Sequence, residues 1–311
     1  MCAVDVMDWL LDGDPAIRWQ VRRDLLHEPE DAVAAERAKV ETEGWGARLL
    51  DLQQEDGTWG EGVWTQRDRV GVDDAMLLLA LLGAPADGER TRIAVDRVAR
   101  QVDWGEEWWN HPFFDGEVEP CINGRVLVAG ARFGHPSELI VERLLNEQQD
   151  DGGWNCYAET RQDPGSFHST ICALEGLVAY RDAGGPTDVA PAVARGHDYL
   201  LSRGLMRRRS DGAIIRESWL RFSFPYYWAF DVLRGLDHLR AAGVPADDRV
   251  AEAVSVVESR RQPDGRWLLD HEHSGRALLD LETVGEPSRW NTLRALRVLD
   301  WFSPSTHPIA L

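Results

Sequence analysis

Basic residues are scarce in this chain of 311: 34 Lys and Arg stand against 53 Asp and Glu, a formal net charge of −19. So large an acidic excess repels phosphate backbones and anionic lipid surfaces, and the chain reads as binding no nucleic acid. An anionic ligand would need a local basic pocket set against that field. Cysteine is scarce as well, with Cys2, Cys121, Cys156 and Cys172 the full set. Four thiols in a chain this long make no disulfide framework, which leaves them for metal, for catalysis or for the core. Long apolar runs are missing. The longest extends from Ala75 to Leu82, far short of the roughly 20 residues a membrane helix needs. Met1-Cys2-Ala3-Val4-Asp5 has neither the basic n-region nor the apolar stretch of a secretory signal. These absences together read as a cytoplasmic chain without integral membrane association. A hydrophobic fraction of 43% excludes disorder over the whole length.

What the chain has in excess is tryptophan: 14 Trp against 5 Tyr and 8 Phe. Indole needs a large apolar slot and a partner for its N–H, so a repeated motif consumes these residues or a site is lined with them. A repeat is there. Gln54-Glu55-Asp56-Gly57-Thr58-Trp59, Gln149-Asp150-Asp151-Gly152-Gly153-Trp154 and Gln262-Pro263-Asp264-Gly265-Arg266-Trp267 align without gaps. Asp211-Gly212-Ala213-Ile214 is a worn fourth copy that keeps the turn alone. The glycines stand at 57, 152, 212 and 265, and their intervals of 95, 60 and 53 fit one unit of about 50 residues with a copy lost near 104 to 116. Asp-Gly is a turn pair, because Asp bonds its own backbone and Gly accepts a positive φ. The flanking Gln and Trp can tie the end of one helix to the start of the next.

The stretches around each turn read as helices. Glu138 to Gln148 is amphipathic, with Leu139, Ile140, Leu144 and Leu145 on one side. Met76 to Leu82 and Ile171 to Ala179 are apolar nearly all round, and such a helix must be buried on every face. Half-exposed outer helices alternating with buried inner ones describe two concentric rings. The prediction is an all-α, single-domain (α/α)6 toroid over 1–311, with repeats over 45–302 and residues 1–44 as helices closing onto the ring.

At this point the Gln-x-Asp-Gly-x-Trp copies resemble the repeat of squalene–hopene cyclases and protein prenyltransferase β subunits, and the chain is similar to short bacterial squalene cyclase-like or prenyltransferase-like proteins. In such a ring the inner-helix N-termini line one mouth of the cavity. The resemblance implies zinc at two of them. Glu119-Pro120-Cys121 is similar to the family's Asp-x-Cys element, with Glu for Asp, and Phe167-His168-Ser169-Thr170 is similar to its later His element. Cys156 follows the turn in Gly152-Gly153-Trp154-Asn155-Cys156, a pattern the bacterial relatives pair with Phe-His. Cys121, Cys156 and His168 would then form a Cys2His set suited to zinc, with an open fourth position that Glu119, Asp115 or His111 could fill. Each residue has a plainer role: buried cysteines as core, His168 as a helix cap, Cys172 as packing.

Asp73-Asp74 carries another implication. Class II isoprenoid cyclases protonate their substrate from an Asp-x-Asp-Asp motif, and Gly71-Val72-Asp73-Asp74 is similar to it without the leading Asp. Two acids in a first helical turn are also what the helix dipole favours. Aromatics form one cluster of Trp104, Trp108, Trp109, Phe113 and Phe114 and another of Trp219, Phe222, Phe224, Tyr226, Tyr227, Trp228 and Phe230. A cavity walled by π faces would suit an apolar or isoprenoid-like small molecule. Trp109, Phe113, Asn123, Arg125, Phe167, Tyr226, Tyr227, Trp228 and Trp290 are the expected substrate contacts; Asp73, Asp74, Glu119 and His168 are the expected catalytic residues. Arg125, Arg161, Arg221 and Arg289 lie near expected mouth positions, and Arg207-Arg208-Arg209 reads as a solvated loop. The expectation is an isoprenoid-type enzyme with zinc. A metal-independent class II cyclase using Asp73 or Asp74 and a non-catalytic toroid binding a lipid or a protein are the alternatives.

Overall fold

In the computed structural model, which describes residues 5–60, 62–63, 71–106, 110–273 and 278–302, all four Asp-Gly pairs fold as one turn. Oδ1 of Asp56, Asp151, Asp211 and Asp264 accepts from the N–H two residues on. The glycines follow at φ of 86°, 90°, 71° and 85°, where a Cβ is disfavoured. In the three full copies the Trp indole N–H donates to a carbonyl ten residues earlier, near the end of the preceding outer helix: Trp59 to Leu49, Trp154 to Leu144 and Trp267 to Val257, at 2.7–2.8 Å. The Gln ties are made one residue earlier than the alignment suggested. Gln53 and Gln148 reach the Ala94 and Ala192 carbonyls of the next outer helix at 2.9 Å, whereas Gln54 and Gln149 bond through their backbones within the turn.

These ties set outer helices against inner ones. The inner set is α2 (Pro15–Asp24), α5 (Val72–Leu82), α7 (Pro120–Phe133), α9 (Phe167–Asp182), α11 (Val232–Ala241) and α13 (Arg289–Phe302). Outside them run α1 (Val6–Leu11), α3 (Glu30–Ala38), α4 (Gly44–Asp51), α6 (Glu89–Gln101), α8 (Glu138–Glu147), α10 (Ala190–Leu201) and α12 (Ala251–Ser259). A single ladder, Trp267–Leu268 with Pro287–Ser288, is the β structure among the described residues. In the α6–α7 connection, where a lost copy was expected, Trp104 donates instead to a carbonyl nine residues later, Phe113 O, at 3.0 Å.

The inner helices close a ring. α5 packs on α7 and α7 on α9; Arg234 of α11 grips Glu175 of α9. α11 packs on α13 and α13 on α2. Trp19 of α2 donates to Leu82 O of α5 at 2.9 Å and completes the circuit. So α2, from the segment expected only to close onto the ring, is its sixth inner helix. The α7–α9 contact is the tightest, because a Cβ on Gly124 would lie 2.1 Å from Cys172 O and one on Gly176 would lie 2.6 Å from Gly124 O. Among the described residues, no helix is long and apolar enough to cross a membrane.

Trp154 is fully buried, and Trp154→Ala is expected to cost about 3–5 kcal/mol by cavity formation and loss of the Leu144 tie. Urea unfolding at neutral pH measures it; a loss below about 1 kcal/mol would mean that the indole merely fills space the chain can repack.

Candidate functional site

The N-terminal ends of α5, α7 and α9 meet at one mouth of the ring. Glu119 is the N-cap residue of α7 and Cys121 stands in its first turn. Cys156 arrives from the loop after the Asp-Gly turn and is held by Ser169 of α9, whose Oγ lies 3.2 Å from both the Cys156 N and Sγ. One carboxylate oxygen and two sulfurs, from Glu119, Cys121 and Cys156, lie within 4.8 Å of one another. The Cys121 thiol donates to Glu119 Oε2 at 3.6 Å, and the neighbouring Cys156 sulfur raises the Cys121 thiol above its ordinary value while the Cys156 thiol is lowered below its own. Burial raises Cys121 further. Of the two thiols, Cys156 is therefore the more readily ionised. Tetrahedral zinc needs donors roughly 3.5–3.8 Å apart at its usual bond lengths, so modest rotamer changes would let these three hold it.

The third member differs from the expected one. His168 is not in the cluster, because its Nδ1 accepts from the Phe230 N–H at 2.9 Å and its ring lies between Trp219 and Trp228. Burial, then Arg234, Arg216 and His273, press its pKa down to about 4. It is therefore neutral with its proton on Nε2, a hydrogen-bond donor rather than a bound ligand. Asp115 and His111 do not join the cluster, and Cys172 is buried beneath the Arg234 guanidinium, 3.6 Å from Nη2. Cys2 lies outside the described residues.

One turn deeper, Asp73 and Asp74 open α5 and both are buried. Arg125 of α7 donates from Nη2 to Asp73 Oδ2 at 2.9 Å and from Nη1 to Asp74 Oδ1. Burial works against the guanidinium charge, yet the two carboxylates outweigh it and the Arg125 pKa is raised. The chemistry here is ion pairing, and Arg125 is not a free contact for substrate.

The expected substrate contacts divide. Phe113, Phe167, Asn123 and Trp290 are structural. Phe113 stacks on Trp104 at 5.4 Å, Phe167 packs on Trp219 at 4.8 Å and Phe230 at 5.0 Å, and Asn123 holds both backbone polar groups of Glu117. Trp290 stacks on Phe224 at 4.0 Å. Tyr226 is buried between the guanidinium groups of Arg234 and Arg294, 4.1 and 5.0 Å from its ring centre. Tyr227 and Trp228 remain at the mouth: Tyr227 takes a φ of 44°, uncommon for a bulky side chain, and Trp228 is 48% exposed. Trp109 lies outside the described residues.

The central cavity departs from expectation. The described space of about 610 Å³ lies at the C-terminal ends of the inner helices, with Arg23, Arg132, Arg234, Arg240 and Arg294 beside Asp24, Glu175 and Asp237. Charged groups share its walls with apolar ones such as Leu81, Val128 and Val178, and of the aromatic segment 221–231 only Tyr226 lines it. Sequence reasoning also missed Glu117, which is 2% exposed; burial raises its carboxyl to about 7, two residues from Glu119. The Glu117-Val118-Glu119 spacing was visible, but nothing local marks one of two acids as buried.

No family model matches the chain, and no curated protein matches it. The chain is similar to solved structures of the type II terpene cyclase MstE from Scytonema. The apo form shares 15% identity over 94% of this chain and 89% of that chain, with a TM-score of 0.45. A variant in complex with its substrate, geranylgeranyl dihydroxybenzoate, shares 16% over 94% and 88% with a TM-score of 0.44. A variant in complex with its product, merosterolic acid A, shares 15% over 94% and 88% with a TM-score of 0.44.

Proposed function

We propose that the protein is a zinc-dependent enzyme of isoprenoid type, working at the inner-helix N-terminal mouth on an apolar small molecule. The observation that supports this is the convergence of Glu119, Cys121 and Cys156 from two separate segments on one point. Zinc, when bound, would supply a Lewis acid at its open position. The remaining roles follow from the chain. Cys156, the more readily ionised of the two thiols, would be the thiolate ligand of that metal. His168 offers an Nε2 proton to a substrate oxygen, since its other nitrogen is taken by Phe230. Glu117 exchanges a proton near neutral pH, the range suited to general acid–base work. Tyr227 and Trp228 give an apolar rim for the substrate chain.

Purified protein should carry about one zinc per chain, lost in Cys121→Ala and in Cys156→Ala. His168→Ala should keep the zinc and lose turnover across a panel of polyprenes. Elemental analysis and product detection read the two arms. Zinc-free protein of full stability and activity would defeat the reading.

A further inference from the structure

A second cavity, of about 400 Å³, opens beside the first turn of α9, with His168 in its lining. Its walls carry Arg203, Arg208, Arg209 and Arg216, over a floor that includes Phe167 and Trp219. Among the described residues no carboxylate lines it. That is a marked reversal in a chain whose net charge is −19. Chance placement of 34 basic residues among 53 acidic ones would mix the signs, as happens in the central cavity.

The charges differ in how much they are already used. Arg203 is partly committed, pairing with Asp151 at 3.0 Å while its guanidinium lies 3.7 Å over the Tyr199 ring. Arg208 pairs with exposed Asp211 at 3.2 Å. No ion pair of Arg209 or Arg216 is found among the described residues. The strand-like bridge between Arg207 and Ile214 holds a tight turn that carries Arg208 and Arg209 to the cavity. Arg207 itself is engaged elsewhere, on Glu252. Arg208 and Arg209 are exposed, as expected of a solvated loop, while Arg207 is half-buried on Glu252.

The backbone adds to the same field. α9 runs 16 residues, and Ser166 gives it no side-chain cap, so its first-turn N–H groups keep their donors at the cavity edge. Arginine forks match the paired oxygens of a phosphoryl group, and helix N–H groups bind the same anion. We propose that this cavity binds the phosphoryl group of a small molecule, with Arg209 and Arg216 as its uncommitted cationic contacts. The aromatic floor then receives the apolar part of that molecule. None of Glu119, Cys121 and Cys156 lines the cavity, but His168 does, so the inference is independent of the metal and shares one residue with the proposed function.

Calorimetric titration of the full chain with inorganic phosphate and pyrophosphate, in the presence of a chelator, tests it. Pyrophosphate should bind saturably at one site, and more tightly than phosphate. Arg209→Ala/Arg216→Ala should weaken it by about tenfold or more, with an unchanged thermal transition because both side chains are exposed. Arg100→Ala, an exposed arginine on α6, should leave binding as it was. No saturable binding, or equal losses in the control and the double variant, would overturn the proposal. So would sedimentation with phosphatidic acid-doped phosphatidylcholine vesicles in the absence of pyrophosphate binding, which would assign the patch to a lipid headgroup instead.

Discussion

Acidification from neutral pH to about pH 4 is expected to remove most of the stability of this protein, with His197 and His238 the largest contributors. Their Nε2 atoms lie 3.0 Å apart in the interior between α10 and α11. One ring must donate and the other accept, so the accepting ring has to be neutral and double protonation would set two N–H donors against each other. Burial lowers each to about 3; His238 and Arg181 add to the effect on His197, and Arg234 and Arg181 to that on His238, against Asp237. His168 and His273 are lowered to about 4, again by burial first. The sign follows from proton binding. Below the unfolded value of about 6.5 the unfolded chain takes up protons that the folded chain refuses, so stability falls with pH until the folded values are reached. Each histidine contributes a little over 1 kcal/mol per pH unit in that window, roughly, and four of them approach the whole stability of a domain. Glu117 and Glu147, both raised to about 7 by burial, work the other way between about pH 7 and 4.5. Two carboxyls offset only part of four histidines. Urea unfolding across this range should show the fall. In His197→Gln/His238→Gln the pH slope should be shallower by up to about two protons. If that variant does not fold, the histidine ring resonances of the wild type settle the matter: titration of either ring above about pH 5 would contradict the neutral pair.

What could be read without the structure was what is decided locally. Asp-Gly turn chemistry depends on three neighbouring residues, and all four copies obey it. The apolar run around Met76–Leu82 required burial on every side and received it as an inner helix. Residues whose meaning depends on a distant partner were not legible. Arg234, Arg294 and Arg297 sit on helices whose sequence resembles a solvent-facing pattern, yet each is nearly fully buried. Glu175, Asp231 and Asp24 come from other parts of the chain to meet them. The candidate metal site was half legible for the same reason. Cys121 and Cys156 follow from their places after a helix start and a turn. The choice between Glu119 and His168 depended on a backbone N–H at Phe230, 62 residues from the histidine. Aromatic residues misled most, because π-rich lining and π-rich packing have the same composition.

Arg125→Ala is expected to be among the most damaging single changes in the chain, costing about 3–5 kcal/mol or preventing folding. It would leave Asp73 and Asp74, both at most 2% exposed, with their guanidinium partner gone. The companion Arg125→Met/Asp73→Asn/Asp74→Asn removes all three charges at similar volume and should recover most of that loss, because a buried ion pair is offset by the cost of desolvating it. Equilibrium unfolding of the two variants makes the comparison. The pair also separates two chemistries for this mouth. A proton donor must carry a proton on a carboxyl oxygen, whereas the ion-pair reading needs both carboxyls to face Arg125 as carboxylates. Infrared difference spectra at about pH 8 should therefore show no protonated-carboxyl band that disappears in Asp73→Asn or Asp74→Asn. Such a band, together with abolished polyprene turnover in a folded Asn variant, would move the chemistry from the cysteine cluster to the acids. Its absence, with turnover retained, would leave Asp73, Asp74 and Arg125 as the buried clamp that holds α5 against α7. That clamp keeps Cys121 at its place in the mouth, since Arg125 also donates to the Cys121 carbonyl at 3.4 Å. A folded Arg125→Met/Asp73→Asn/Asp74→Asn protein should then bind zinc more weakly than the wild type without having lost a single zinc ligand.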